Sequence, residues 1–331
     1  MKVLTTQPKV FVLFSFLLQL LISPAYGQDK VKLRVSATSK TLGNGPLWVA
    51  VKKGFFSQQG LDVDLVVIRG PDIAIQALAG GSLEIAGSGA DAPITAVERG
   101  LDLVMIGGLN NGLSHSLMGG KKFKSYEDLR GATLGGSSLT SGVTFALRRV
   151  LKSNGLEYPR DYKILIIGGS PQTFAALTAG QIDATTLASP LNYAAEDLGF
   201  NEIGRFIDAI PNYQLGVLSL KRSWAEKNRA VLIRTMKAMA LSMRWLHQNK
   251  EAAIDFLSQE IKLNPAHARK GWEFYTRTHI WHPDGDINVE GLKTTIQMLQ
   301  EASGGKGAAP SAAKYIDQSY LRDALKELNA K

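Results

Sequence analysis

Two segments of the chain that begin 99 residues apart share one pattern, and this repeat constrains the fold more than any other feature. The first runs from Val66 to Glu84 and the second from Leu165 to Asp183. Each pattern is typical of an apolar strand, a glycine-containing turn, a short helix that ends at Gly81 or Gly180, and a new strand. The repeat therefore predicts two lobes built on one plan.

A further strand and helix precede each copy of the repeat. In the first lobe, Lys32 to Ser36 alternates as a strand and Pro46 opens a helix that runs to Phe56. In the second lobe, Gly131 to Leu134 is a short strand and Ser141 to Lys152 is a helix. Alternation of strands and helices favours a largely parallel sheet with helices on both faces. We predict an α/β fold of two doubly wound lobes joined by a two-strand hinge. Other strands are expected at 85–86, 103–106 and 184–187.

The lobe boundaries follow from where the chain crosses between the sheets. We expect one crossing within 113–119 and the return within 213–220. With 331 residues and 45% hydrophobic content, the chain has enough apolar material for two lobes. Lobe 1 is predicted to consist of residues 28–115 and 217–331, and lobe 2 of residues 116–216. Amphipathic helices that should cover lobe 1 are predicted at 224–248, 250–260, 265–278, 289–302 and 319–329.

Residues 1–27 are typical of a secretory signal peptide. Lys2 and Lys9 precede an uncharged apolar run from Val10 to Ile22, and Ala25-Tyr26-Gly27 suits a signal peptidase. The apolar run is too short to cross a bilayer of about 30 Å as a helix, although an uncleaved anchor is the alternative. We expect cleavage near Gly27 and export of the remaining chain to the periplasm.

Charge and cysteine content exclude several classes of function. The chain has no cysteine, so no disulfide, thiolate metal site or cysteine nucleophile can contribute. The formal net charge is +9, but lysine and arginine are scattered over helix faces and form no block of five or more. We expect no nucleic-acid partner. The positive balance is compatible with electrostatic steering of a small anion.

A ligand site is expected where six loops follow the strands. In open α/β sheets ligands bind beyond the carboxyl ends of the strands, next to helix N-termini with free N–H groups. Glycine, serine, threonine and proline are frequent in the loops at 39–47, 69–72, 87–91, 135–141, 168–173 and 189–190. The predicted ligand-binding residues are Ser39, Lys40, Leu42, Trp48, Arg69, Gly70, Ser88, Asp91, Asn110, Ser137, Ser138, Thr140, Ser141, Ser170, Thr173 and Ser189.

The loop from Gly135 to Gly142 is the strongest candidate, because hydroxyls and glycines there precede an apolar helix. It can bind an oxyanion, or its hydroxyls can merely cap the helix. Lys40 and Arg69 are possible cationic partners. Asp91 suits an ammonium group on a zwitterionic ligand if it faces the cleft, and is otherwise a helix cap. Trp48 is expected either at the pocket wall or in the core.

Other chemistry finds little support in the sequence. Gly87 to Ala92 matches the dinucleotide fingerprint formally, but no acidic residue follows at the required strand end. Asp284 and Asp286 alternate as calcium ligands do, without the glycine and glutamate of an EF-hand loop. His115 can contact a ligand or form a hydrogen bond at the hinge. We expect no catalytic residue, no metal and no cofactor.

Several motifs resemble the periplasmic solute-binding proteins of nitrate, sulfonate and taurine ABC importers. They are Gly54-Phe55-Phe56, the run from Ile75 to Gly81, and the run from Thr178 to Ala184. The resemblance implies a type II periplasmic-binding-protein fold whose hinged lobes close on a small anion or zwitterion. It also implies delivery of that solute to a membrane permease and its ATPase. We expect a monomer.

Two other functions remain open at this point. One is a protein that binds a pyrimidine precursor of thiamine, or a pyrimidine-metabolism enzyme on the same fold. The other is a ligand sensor that presents its solute to a membrane receptor. The absence of cysteine separates the chain from related pyrimidine synthases, which the family resemblance associates with a cysteine-rich motif.

Overall fold

The structure is a computed structural model that describes residues 1–2, 30–68, 70–305 and 307–330. The predicted signal-peptide core and its cleavage point lie outside these residues, as does Arg69, one of the predicted ligand residues. Among the helices of the described ranges, none combines the length and apolar character needed to cross a membrane.

Two five-stranded sheets organise the chain. The first has the strand order β2-β1-β3-β10-β4 and the second the order β7-β6-β8-β5-β9. The first sheet contains β1 (Val31–Ala37), β2 (Leu61–Val67), β3 (Ile85–Gly89), β4 (Leu103–Asn110) and β10 (Gly216–Lys221). The second contains β5 (His115–Gly119), β6 (Thr133–Gly136), β7 (Lys163–Ile166), β8 (Ala184–Ala188) and β9 (Asn201–Arg205).

Helices cover both faces of the two sheets, as expected for an α/β fold. Those up to the return crossing are α1 (Gly45–Lys52), α2 (Phe55–Gln58), α3 (Pro71–Gly80), α4 (Asp91–Glu98), α5 (Gly142–Ser153), α6 (Ser170–Thr178), α7 (Leu191–Asp197) and α8 (Phe206–Ala209). The C-terminal helices are α9 (Arg222–Lys227), α10 (Arg229–Gln248), α11 (Lys250–Ile261), α12 (Pro265–Arg277), α13 (Val289–Ala302) and α14 (Ser319–Asn329). Short 3₁₀ helices lie at Leu42–Asn44, Glu127–Leu129 and Ala312–Lys314.

The predicted α/β class is confirmed, but three local predictions need correction. The helix expected from Pro46 to Phe56 is interrupted, because Gly54 adopts a left-handed conformation with φ 75° that a helix does not accommodate. The helix expected at 224–248 begins earlier and is divided at Asn228 into α9 and α10. Strand β4 extends to Asn110 because β10 pairs along that whole length.

The sheets are also less parallel than predicted. Strand β10 runs antiparallel to both β3 and β4, and β5 runs antiparallel to β8 and β9. The reason is geometric, because a chain that crosses between sheets enters the new sheet at the end where the crossing lies. The first strand after the crossing therefore starts at the end of the sheet where the other strands finish, and it runs antiparallel to them.

Two crossing segments, residues 111–114 and 206–215, join the sheets. The end of the second segment is hydrogen-bonded to Asn110, which immediately precedes the first. The amide of Leu215 donates to the carbonyl of Asn110 at 3.0 Å, and Gln214 Nε2 donates to the same oxygen at 3.1 Å. Both crossings use strands on one side of each sheet, so the edge strands β2 and β7 lie on the opposite side. The hinge is therefore at one side of the interlobe cleft and the mouth at the other.

The C-terminal helices complete the core of the first sheet and also reach the second. Helix α10 packs on α1 and α14 packs on α10, where Met236 and Leu321 join the cluster beneath β1. Met298 of α13 lies in the core of the second sheet. From α12, Tyr275 Oη donates a 2.7 Å hydrogen bond to Ser114 Oγ in the crossing. These helices thus contact both sides of the cleft.

Gly108 in β4 contacts the turn of residues 283–286, which follows α12, and a substitution there tests how that turn packs on β4. Its amide donates to the Gly285 carbonyl at 2.8 Å, and a Cβ at Gly108 would overlap the backbone oxygen of Asp286. Because a backbone atom cannot rotate away, we expect Gly108→Ala to lower the free energy of unfolding by about 1–3 kcal/mol. Urea unfolding measures this.

The matched control is Gly80→Ala at the exposed end of α3, where a Cβ meets nothing within 4 Å. We expect that change to be neutral or slightly stabilising. Equal destabilisation by the two substitutions would contradict the seating of the 283–286 turn on β4.

Candidate functional site: the interlobe cleft

Loops at the carboxyl ends of strands from both sheets meet across one cleft. Asp91, which follows β3, contacts Gly142, which follows β6. On another side, Leu42 and Pro190 both lie within 4 Å of the position that a Cβ would take on Gly271 of α12. The loops that follow β1 and β3 therefore approach those that follow β6 and β8, with helix N-termini on both sides.

The contact between Asp91 and Gly142 closes one part of this cleft. The amide of Gly142, at the start of α5, donates to Asp91 Oδ2 at 3.3 Å. Asp91 begins α4 and is only 8% exposed. The hydroxyl of Tyr213 also lies over this position, so any side chain at Gly142 would overlap it. The first turn of α5 thus faces a carboxylate and a phenol supplied by other parts of the chain.

Burial dominates the electrostatics of Asp91. It raises the pKa of this carboxyl to about 6, while the N–H groups of Asp91 and Gly142 lower it and the charge of Asp72 raises it. Burial and the nearby Asp91 charge also raise the pKa of Tyr213. Within the described ranges, no lysine, arginine or histidine forms an ion pair with Asp91. Within these ranges, the negative charge of Asp91 is therefore stabilised by backbone N–H groups and the α5 dipole rather than by a cationic side chain.

Asn110 lies in the same row of the first sheet as Gly89, which ends β3 two residues before Asp91. Gly216 pairs with Gly89 on one side and with Asn110 on the other. Directly paired antiparallel residues project to the same face, so these three positions share one face of the sheet. A Cβ on Gly89 would overlap Asp91 Oδ1, and one on Gly216 would lie 2.7 Å from Asn110 Nδ2. The two glycines leave room for both polar side chains.

Three buried polar atoms in or beside the first crossing have no partner among the described residues. They are Asn110 Oδ1, in a side chain that is 9% exposed, Asn111 Oδ1, and His115 Nδ1 at the start of β5. Burial lowers the pKa of His115 to about 4, so its ring is neutral at pH 7. The expected hydrogen bond of a hinge histidine is absent at Nδ1 in the described part of the chain. Unpaired buried polar atoms are costly and indicate a missing partner.

The predicted residues near β1 are mostly engaged within the protein. Lys40 pairs with Glu260 at 2.9 Å, and its Nζ lies 4.9 Å from the centre of the Trp48 ring. Trp48 and Leu42 are buried in apolar clusters, so Trp48 belongs to the core rather than to the exposed wall. Ser39 is half-buried and shares a 3.2 Å hydrogen bond with Thr41.

Two other predicted positions lie at the ends of β2 and β3. Gly70 precedes α3 with φ 111°, a conformation that favours glycine. Ser88 is buried, and its hydroxyl donates to the Gly89 carbonyl at 3.2 Å. Both residues lie in loops that border the cleft, but among the described contacts neither one touches Gly142.

Hydroxyls of the loop before α5 bond mainly to each other. Ser137 donates to Ser141 at 3.4 Å, and Ser138 shares a 2.9 Å bond with Thr140. Ser141 caps α5 by accepting from the amide of Thr144 at 3.2 Å. The helix-capping alternative therefore describes Ser141, and the adjacent Gly142 amide faces Asp91 rather than open space.

The remaining predicted hydroxyls stabilise the loops after β7 and β8. Ser170 accepts a hydrogen bond from the amide of Ala188 at 3.0 Å. Ser189 donates to Asn192 at 3.0 Å. Thr173 is buried on the first turns of α6, within 3.4 Å of the Gly169 and Ser170 carbonyls. These three side chains fix the backbone at the second lobe's side of the cleft.

Residues of the return crossing were missed by the sequence analysis. Tyr213 lies over Gly142, and Gln214 bonds to the carbonyls of Asn110 and Gly216. Asn44, also missed, ties the loop after β1 together by donating to the Ser39 carbonyl at 2.9 Å. The available signal was the run of polar residues Asn212-Tyr213-Gln214 in the return crossing, which periodicity cannot assign to a site.

Comparison with solved structures defines the class of protein. The fold matches the periplasmic aliphatic sulphonate binding protein SsuA from Escherichia coli with a TM-score of 0.69, at 18% identity over 88% of this chain and 92% of that one. It matches the periplasmic nitrate-binding protein NrtA from Synechocystis PCC 6803 with a TM-score of 0.70, at 15% identity over 92% and 90% of the chains. The chain has the periplasmic-binding-protein fold.

The family is established by sequence. The chain belongs to the family described as NMT1/THI5 like, whose model matches residues 43–253. One relative, the formylaminopyrimidine-binding protein of Halalkalibacterium halodurans, is 25% identical over 220 residues, which is 64% of each chain. The match thus spans just under two thirds of that relative's length. These comparisons confirm the resemblance expected from the motifs.

The raised pKa of Asp91 predicts a pH dependence of stability. The folded protein holds this proton up to about pH 6, whereas an ordinary carboxyl releases it near 3.8. The stabilisation is therefore fully present below about pH 4 and is lost as the pH rises through 6. We expect Asp91→Asn, which cannot ionise, to gain on the order of 2–3 kcal/mol relative to wild type between pH 4 and pH 7.

Urea unfolding of both proteins at pH 4, 5, 6 and 7, without solute, measures this difference. Asp62→Asn is the control, because Asp62 is exposed on β2 and is not among the charges that shift the pKa of Asp91. A difference between wild type and Asp91→Asn that stays constant over this range would show that Asp91 is not the titrating group.

Proposed function

We propose that this protein is the periplasmic substrate-binding component of an ABC importer. It captures a small anionic or zwitterionic solute between its two lobes and delivers it to a membrane permease and the associated ATPase. It acts by binding and release, without catalysis. The lobes are formed by residues 28–115 with 217–331, and by residues 116–216.

One observation carries this proposal: the crossing that joins the two sheets is flanked by buried polar atoms whose partners the described chain does not supply. Asn110 Oδ1 and His115 Nδ1 lie at opposite ends of the first crossing, one in each sheet. An open form exposes such groups to water, whereas a closed form needs a solute to satisfy them. Solute binding and lobe closure are therefore coupled.

Relatives and neighbours support a transport role. Structures named as periplasmic sulphonate-binding and nitrate-binding proteins share the fold over most of their length. The apolar segment and small-residue site within residues 1–27 support export through the inner membrane. A freely diffusing carrier in the periplasm then collects solute for the permease.

A second ligand class is favoured by one specific observation. The relative named formylaminopyrimidine-binding protein matches 64% of this chain at 25% identity. The amino group of an aminopyrimidine donates N–H bonds, so it matches the acceptors Asp91 and Asn110 Oδ1 as the ammonium of a zwitterion does. The solute is then a thiamine precursor, and the transport role is unchanged.

Native mass spectrometry of the purified protein tests capture directly, because a retained solute appears as a discrete mass increment. Binding is then measured by calorimetry with sulfonates, carboxylates, nitrate and pyrimidines. We expect one class to bind and the other classes to bind at least about tenfold more weakly, because the buried polar groups reject a mismatched partner.

Closure is tested with two spin labels, which the absence of native cysteine makes straightforward. Gln76→Cys and Ala175→Cys occupy equivalent exposed positions on α3 and α6, one in each lobe. We expect added solute to narrow and shorten their distance distribution. The control pair Gln76→Cys and Lys52→Cys lies within lobe 1 and should not change. A solute that binds without altering the interlobe distance would contradict capture by closure.

A further inference from the structure

Asp91 and Asn110 carry hydrogen-bond acceptors over the same face of the first sheet. Both lie over the row Gly89–Gly216–Asn110, in which neighbouring strands are about 4.8 Å apart. The glycines at 89 and 216 have no side chains, so the carboxylate and the carboxamide occupy the space above them. Gly43 closes the far side, where a Cβ would lie 3.0 Å from Asn110 Nδ2.

Few donors within the described chain reach these acceptors. Asp91 Oδ2 receives one amide at 3.3 Å, which is long for a bond to a charged group. Asn110 Oδ1 has no partner in the described chain. Lys40, which precedes Gly43 in the loop after β1, is held by Glu260. Buried carboxylates are otherwise paired with cations or several donors, so an N–H donor from a solute stabilises the charged form of Asp91 here.

The α5 N-terminus does not supply an empty anion site, since Asp91 already occupies it. An incoming carboxylate or sulfonate placed at the Gly142 amide would meet the Asp91 carboxylate, a like charge in a buried space. The anionic end of a solute must lie elsewhere in the cleft. A group with N–H donors is favoured beside Asp91 for the same electrostatic reason that disfavours an anion.

We propose that Asp91 and Asn110 determine specificity by binding an N–H donor group of the solute, either an ammonium or an amino group on a heteroaromatic ring. This inference rests on the proposed function, because it assigns the chemistry of the solute that the cleft captures. Asp91 accepts a charge-assisted hydrogen bond from that group, and Asn110 Oδ1 accepts a second. The remaining end of the solute points toward the loops after β7 and β8.

Two pairs of probes that differ only by an amino group test the inference. In the first pair, 1-propanesulfonate has a methyl group in place of the ammonium of taurine. In the second pair, 4-methylpyrimidine has a methyl group in place of the amino group of 4-aminopyrimidine. The two pairs separate an ammonium from a ring amine as the source of the donor. We expect wild type to bind the amino member of one pair about tenfold or more tightly than its methyl partner.

Asp91→Asn should reduce that preference to within about threefold, because it removes the charge but keeps an oxygen for the Gly142 amide. Asn110→Ala is a second variant and should lower the preference by about threefold to tenfold. Asp62→Asn is the control and should leave the preference unchanged, since Asp62 is exposed on β2 and is not among the charges that act on Asp91. Thermal melting confirms that each variant is folded.

The outcomes distinguish this inference from the transport role. If the methyl member binds as tightly as the amino member in wild type, the protein captures solutes but the role of Asp91 is wrong. If neither pair binds and the solute seen by native mass spectrometry has no N–H donor, the inference is also overturned. Retention of the preference in Asp91→Asn would likewise exclude Asp91. Absence of any bound or retained solute counts instead against the transport role itself.

Discussion

Strand β10 is the element on which the rest of the molecule depends, because it returns from the second lobe and inserts between β3 and β4. Without it the first sheet is divided, since β3 and β4 are both bonded to β10 rather than to each other. Its insertion fixes the return crossing at Gly216 and places Tyr213 over Gly142. One antiparallel pairing therefore completes the core, closes the hinge and positions the cleft.

The same pairing explains why polar side chains are buried beside the row Gly89–Gly216–Asn110. Gly216 lies between Gly89 and Asn110, so a row with little side-chain volume opens at the edge of a well-packed apolar core. Asp91 and Asn110 are buried in that opening at a cost that the free protein bears. Under the proposed function, a solute that supplies the missing partners restores the stability given up there.

Local patterns predicted the repeated elements well. Helices α13 and α14 begin and end where their apolar spacing indicates, and the two copies of the repeat form equivalent strands and helices. Predictions failed where pairing decided the outcome: β4 continues to Asn110 through two glycines because β10 bonds to it, and Gly54 interrupts the first helix by its left-handed backbone. Site residues were harder still, since hydroxyls that cap helices and hydroxyls that bind ligands have the same local sequence.

The sequence by itself determined the α/β class, the two repeated lobes, the loops that approach the cleft and the absence of thiol chemistry. These properties depend on spacing along the chain, on glycine and on composition, all of which are local. Only the tertiary structure decided that Asp91 occupies the N-terminus of α5 and that Trp48 is in the core. It also decided that Asn110 Oδ1 and His115 Nδ1 have no hydrogen-bond partner among the described residues. Each of these facts depends on which distant segment lies within a few ångströms, and no local pattern encodes that distance.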